Sequence, residues 1–66
     1  MMLKVDLSGK RSEVMLPMPS TAEDLLAELC LLPDAHIVLR NDVPIPIDEP
    51  LKEGDLVRII RVASGG

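Results

Sequence analysis

The sequence predicts an α+β domain, a mixed four- to five-stranded sheet with one helix packed across one face. Three observations carry that expectation. Apolar and polar residues alternate near both ends of the chain, at Leu3, Val5 and Leu7 and again at Val57 and Ile59; this is the two-residue period of a half-buried strand. Between them the period changes once: Ala22, Leu25, Leu26, Leu29 and Cys30 fall on a single helical stripe. Proline and glycine punctuate the joins between these stretches.

The elements follow in order. "MMLKVDLSGKRSEVML" reads as a hairpin, with Ser8–Lys10 as the turn and Val14 and Leu16 resuming the alternation. Pro17 and Pro19 end its second strand, because proline cannot donate to a ladder. The helix start is marked twice: Ser20 with Glu23, or Thr21 with Asp24, each has capping-box spacing. Pro33 closes the helix, and Cys30 on its stripe is expected to fill the core. Ala35 to Asn41 gives a third strand, with Ile37 and Leu39 on one face and Val38 on the other. The proline-rich "DVPIPIDEP" leaves at most Ile45 and Ile47 for a short edge strand. Gly54-Asp55 turns the chain into a last strand from Leu56 to Val62. A hairpin, a crossing helix and further strands bury the helix only against one face of a mixed sheet. With the strongly apolar first and last strands adjacent at its centre, this is the ubiquitin-like β-grasp. Residues 1–62 form the domain and residues 63–66 a tail.

Composition excludes several function classes. Sixty-six residues make one small domain. One cysteine forms no internal disulfide, and no Cys/His cluster offers a metal site. A net charge of −4 and the absence of Phe, Trp and Tyr argue against nucleic acid, which needs a positive field and stacking platforms. No run reaches the roughly 20 apolar residues of a membrane span and no signal pattern opens the chain, so the expected location is the cytoplasm. His36 and Cys30 lie on different elements, the carboxylates are scattered, and no catalytic constellation emerges.

What remains is the end of the chain. Ala63, Ser64, Gly65 and Gly66 are small residues directly after a strong strand. Two terminal glycines add nothing to a core, but they suit passage through a narrow channel of a partner that a side chain would block. The terminal carboxylate, by attacking the α-phosphate of ATP, would become an acyl-adenylate with a good leaving group and Gly66 as the electrophile. The partner would supply the Mg-ATP and the catalysis; this chain would bind no cofactor of its own.

The run "VLRNDVPIPIDEPLKEGDLVRIIRVASGG", together with "STAEDLLAEL", resembles the sulfur-carrier and ubiquitin-like modifier family. That family includes the small subunit of molybdopterin synthase, the thiamine-biosynthesis sulfur carrier and the small archaeal modifier proteins. The matching positions are Val38–Asn41, Leu51, Glu53–Asp55, Val57, Ile59 and Gly65-Gly66; Asn41-Asp42 stands where relatives often carry Asn-Gly. The resemblance implies activation at Gly66 by a ubiquitin-activating-type enzyme. It further implies conversion to a thiocarboxylate that supplies sulfur to molybdopterin synthase's large subunit, to thiazole synthase or to tRNA thiolation. The alternatives are conjugation through Gly66 to lysines of target proteins, or a β-grasp interaction module without tail chemistry. The chain is expected to be monomeric when free. Lys4, Lys10 and Lys52 are expected to be ordinary exposed lysines, and a buried Cys30 would not compete for sulfur.

For docking, the alternation of the last strand points Val57 and Ile59 to the helix. Arg58, Ile60 and Val62 are expected on the opposite face, beside Val38 of the third strand: an apolar patch rimmed by arginine and leading to the tail.

Overall fold

The first strand begins at the second residue and runs directly into the hairpin that the alternation predicts. A computed structural model describes residues 1–62; the tail Ala63–Gly66 lies outside the described residues. Strands β1 (Met2–Leu7) and β2 (Lys10–Met15) pair antiparallel, with Leu7 opposite Lys10. Ser8 and Gly9 between them both take positive φ, 53° and 84°, the two-residue turn whose twist matches a hairpin. The Asp6 carboxylate accepts the Gly9 N–H at 3.0 Å and fixes the turn from within the strand.

Helix α1 spans Ala22–Glu28, and its capping box is Thr21 with Asp24: each side chain accepts from the other's backbone N–H. Ser20, the other candidate, is buried, and its hydroxyl donates to the Pro17 carbonyl. The next orphan donors at this end find partners in the proline-rich loop, Ala22 N–H on Glu49 O at 3.1 Å and Glu23 N–H on Ile47 O at 2.8 Å. The irregular "PIPIDEP" segment therefore serves as the helix's N-terminal cap.

The helix ends before its apolar stripe does. Cys30 takes a left-handed conformation at φ 59°. Its N–H donates to Ala27 O and that of Leu31 to Leu26 O, the paired bonds of a Schellman motif. The turn throws Cys30 outward, so it is exposed and not part of the core as expected; Leu31 folds back against the core in its place. Position 30 is one that glycine occupies without strain. Cys30→Gly is expected to stabilise the domain by about 0.5–1 kcal/mol, the cost of a left-handed side chain less the added freedom of the unfolded chain. A urea midpoint unchanged or lowered would contradict that balance.

After a 3₁₀ turn at Pro33–Ala35, β3 (His36–Arg40) and β4 (Val43–Ile45) form a second hairpin. Asn41 and Asp42 both adopt positive φ, 55° and 63°, so the aspartate holds the same turn geometry that Asn-Gly favours. The edge strand includes Val43 and stops before Ile47, two residues earlier than "Ile45 and Ile47" suggested. Strand β5 (Leu56–Arg61) lies between β1, parallel, and β3, antiparallel, giving the order β2-β1-β5-β3-β4. The two most apolar strands are thus central, as expected, and the fold is a ubiquitin-like β-grasp. Its core joins Leu3, Val5, Val38, Val57 and Ile59 of the sheet to Ala22, Leu25 and Leu26 of the helix, closed by Leu16 and Leu51.

Candidate functional site

Strand β5 is the last described strand, and its two faces differ in burial. Val57 and Ile59 are buried in the core shared with the helix, whereas Arg58 and Ile60 face away, as alternation requires. Val62 follows the strand, 39% exposed, and its N–H donates to Ala35 O at 2.9 Å. That bond fixes the end of the described chain against the residue just before β3.

The expected companion of this patch is corrected. Val38 is 2% exposed and belongs to the core. The reason is register: residues directly paired across a ladder share a face, and Val38 pairs with Ile59 while Ile37 pairs with Ile60. The third strand therefore contributes Ile37, 41% exposed, beside Ile60 at 42%. The outer face presents Ile37, Ile60 and, at the strand's end, Val62. Alternation alone could assign Ile37 and Leu39 to one face, but only the pairing tells which face that is.

Arg58 rims the patch. It stands between Asp6 of β1 and Leu39 of β3 in the register, and its guanidinium reaches the Asp42 carboxylate at 3.6 Å across two exposed side chains. Such a pair between exposed side chains is weak in water.

A second arginine, which sequence reasoning did not single out, holds the opposite end together. Arg40 donates to Glu49 at 2.6 Å, to Pro50 O at 3.0 Å and to Asp55 at 3.4 Å. The hydrogen bond to Glu49, aided by Asp55, holds its guanidinium above the ordinary arginine range. Asp55 also accepts the Lys52 N–H, Gly54 turns at φ 81° with its N–H on Met2 O, and Glu53 accepts the Met2 N–H. Both "VLRN" and "EGD", the segments that carry the family resemblance, are thereby accounted for as a clamp. They tie the 46–55 loop to β1 and β3, and so set the position of β5.

Among the described residues no group of His, Cys, Asp and Glu could hold a metal ion. His36 is committed locally, its Nδ1 2.9 Å from Leu32 O. Among the described residues no helix is long and apolar enough to cross a membrane. The arrangement is an exposed apolar face at the end of β5.

Comparison with known proteins agrees with this fold. Residues 1–63 match the family model described as small archaeal modifier protein 2. A protein of Archaeoglobus fulgidus is 35% identical over 43 residues, covering 65% of this chain and 63% of that protein's length. Among solved structures, SAMP1 from Haloferax volcanii superposes with a TM-score of 0.76 at 20% identity, over 98% of this chain and 99% of that one. The thiamine biosynthesis protein ThiS from Geobacter metallireducens superposes at 0.72 with 27% identity over the full length of both.

Proposed function

The chain belongs to the small archaeal modifier protein 2 family, and on that premise we propose that it is a ubiquitin-like carrier activated at Gly66. A ubiquitin-activating-type enzyme adenylates the Gly66 carboxylate with Mg-ATP. The observation that carries this reading is the join of an exposed Ile37–Ile60–Val62 face to the pinned end of β5, directly before Ala63-Ser64-Gly65-Gly66. A partner that holds the face places the last four residues in its own active site. Docking and chemistry then reside on neighbouring parts of one small protein.

Sulfur transfer is the proposed fate of the activated end: the adenylate gives a thiocarboxylate that delivers sulfur in molybdopterin or thiamine biosynthesis or in tRNA thiolation. The likeness to the Geobacter thiamine biosynthesis protein over its entire length supports it. Conjugation through Gly66 to lysines of other proteins is the second reading, favoured by the family's description as a modifier. The exposed Cys30 removes one argument against that reading, because the thiol is accessible and not shielded. Intact-mass measurement of protein from its native cell separates the two. A terminal oxygen replaced by sulfur supports the carrier; isopeptide adducts with no thiocarboxylate under any growth condition overturn it in favour of the modifier.

The docking face has its own test. Ile60→Asp is expected to weaken binding to the activating enzyme about tenfold or more, with the thermal melt nearly unchanged because Ile60 is already exposed. Val38→Asp, next to Ile37 in the third strand but buried in the core, is expected to unfold the domain. Full binding by folded Ile60→Asp protein would remove this face from the interface.

A further inference from the structure

The two free edges of the sheet are built differently. At the β4 edge, Pro44 sits opposite Leu39; it has no N–H to offer a neighbour, and the strand is only three residues long. At the β2 edge six residues run without proline from Lys10 to Met15, nearly all exposed. Which of their backbone groups point outward follows from the hydrogen bonding beside them. Met1 and Leu16 exchange both bonds, Leu16 N–H to Met1 O at 2.9 Å and Met1 N to Leu16 O at 2.6 Å. Antiparallel pairs alternate between bonded and non-bonded. Val14, Ser12 and Lys10 therefore face β1, and Met15, Glu13 and Arg11 turn their N–H and C=O groups to the open side.

Any strand added here must bond to Arg11 and Glu13. These two residues also share the sheet face opposite the helix, Arg11 in line with Asp6 and Glu13 with Lys4. Among the described residues neither belongs to an ion pair. We propose that a second copy of this chain is the partner: two β2 strands pair antiparallel about a twofold axis at Ser12, with Arg11 of each copy bonded opposite Glu13 of the other.

Charge selects both the partner and the register. The neighbouring registers that keep the outward groups paired set Arg11 against Arg11 or Glu13 against Glu13, and like charges directly opposite are destabilising. The register about Ser12 instead gives two opposite-charge pairs and four backbone hydrogen bonds, all from one self-complementary Arg-Ser-Glu segment. Charged residues on an edge normally discourage pairing; here their order makes the edge selective for itself. The joined surface is below the size of a standard interface, so the dimer is weak, with a Kd of about 0.1–1 mM. At lower concentration the chain is monomeric. β2 is two strands away from β5, so the dimer leaves Ile37, Ile60 and Val62 uncovered on both copies.

Sedimentation of the full chain between roughly 10 µM and 1 mM should show a reversible monomer–dimer equilibrium. In parallel, exchange of the Arg11 and Glu13 amides with solvent should slow as concentration rises. Arg11→Glu and Glu13→Arg each turn both ion pairs into repulsions and should weaken self-association about tenfold or more. Mixing the two variants should restore a dimer made of one of each, since every facing pair is then again opposite in charge. Far-UV circular dichroism confirms folding of each variant, and the wild-type amide measurement is independent of them. A wild-type chain that stays monomeric throughout, single variants that dimerise as the wild type does, or a mixture that fails to dimerise would each overturn the proposal.

Discussion

A chain lacking Gly66 is expected to lose adenylation entirely while keeping its stability within about 0.5 kcal/mol of the full chain. Distance decides the first outcome. Val62 is fixed to Ala35 O, so the reach of the following residues counts from a defined point. Removing one residue retracts the carboxylate by up to about 3.3–3.6 Å. A misplacement of about 1 Å at a reacting centre costs on the order of 100-fold, so the shortened end falls short of the α-phosphate. Adding a residue beyond Gly66 fails for the complementary reason, since the carboxylate then overshoots. The second outcome follows from where the core lies, because among the described residues every member of the buried cluster falls between Leu3 and Ile59. ATP–pyrophosphate exchange with the activating enzyme reads the activity. Undiminished exchange by the truncated chain would remove Gly66 from the chemistry and with it the proposed function.

The fold was legible because its strongest signals are periodic. Leu3 and Val5, Val57 and Ile59, and Ala22, Leu25 and Leu26 all sit in the core where their spacing put them. What spacing could not reach was decided by pairing and by turn conformation. Val38 and Ile37 alternate identically whichever face is buried; only the alignment of Val38 with Ile59 assigns them. Cys30 continues the helical stripe in sequence, but the left-handed turn at that very residue ends the helix two positions sooner. Its signal was weak because left-handed caps are usually glycine or asparagine. The choice between Ser20 and Thr21 as cap depended on a third party, the Pro17 carbonyl, which takes the serine hydroxyl.

The site was legible to a lesser degree. Arg58, Ile60 and Val62 are exposed near the end of β5 as expected, while Ile37 replaces Val38 beside them. Arg40 went unremarked, since three partners spread over residues 49 to 55 are brought to it only by the folded loop. The tail residues Ala63–Gly66 lie outside the described residues and were read from the sequence alone.

Leu25→Ala is expected to remove about 2–5 kcal/mol, which for a domain of this size is most or all of its stability. Leu25 is completely buried and packs in the one cluster that joins helix to sheet. The core has no aromatic residue to redistribute over a cavity, and the helix is only seven residues long, too short to persist without its tertiary contacts. Loss of one leucine should therefore be felt by the helix and the sheet together, in a single cooperative transition. With no Trp or Tyr to report by fluorescence, far-UV circular dichroism in urea is the suitable measurement. Leu32→Ala, at a side chain 67% exposed, should stay within about 0.5 kcal/mol. A comparable small loss for Leu25→Ala would mean that the helix contributes little to the core. This variant also separates two roles that truncation cannot: removing Gly66 should abolish activation in a folded chain, whereas Leu25→Ala should weaken activation only in proportion to the fraction unfolded. Stabilising the variant with an excluded osmolyte should then restore adenylation, which no osmolyte can do for a chain that lacks the reacting carboxylate.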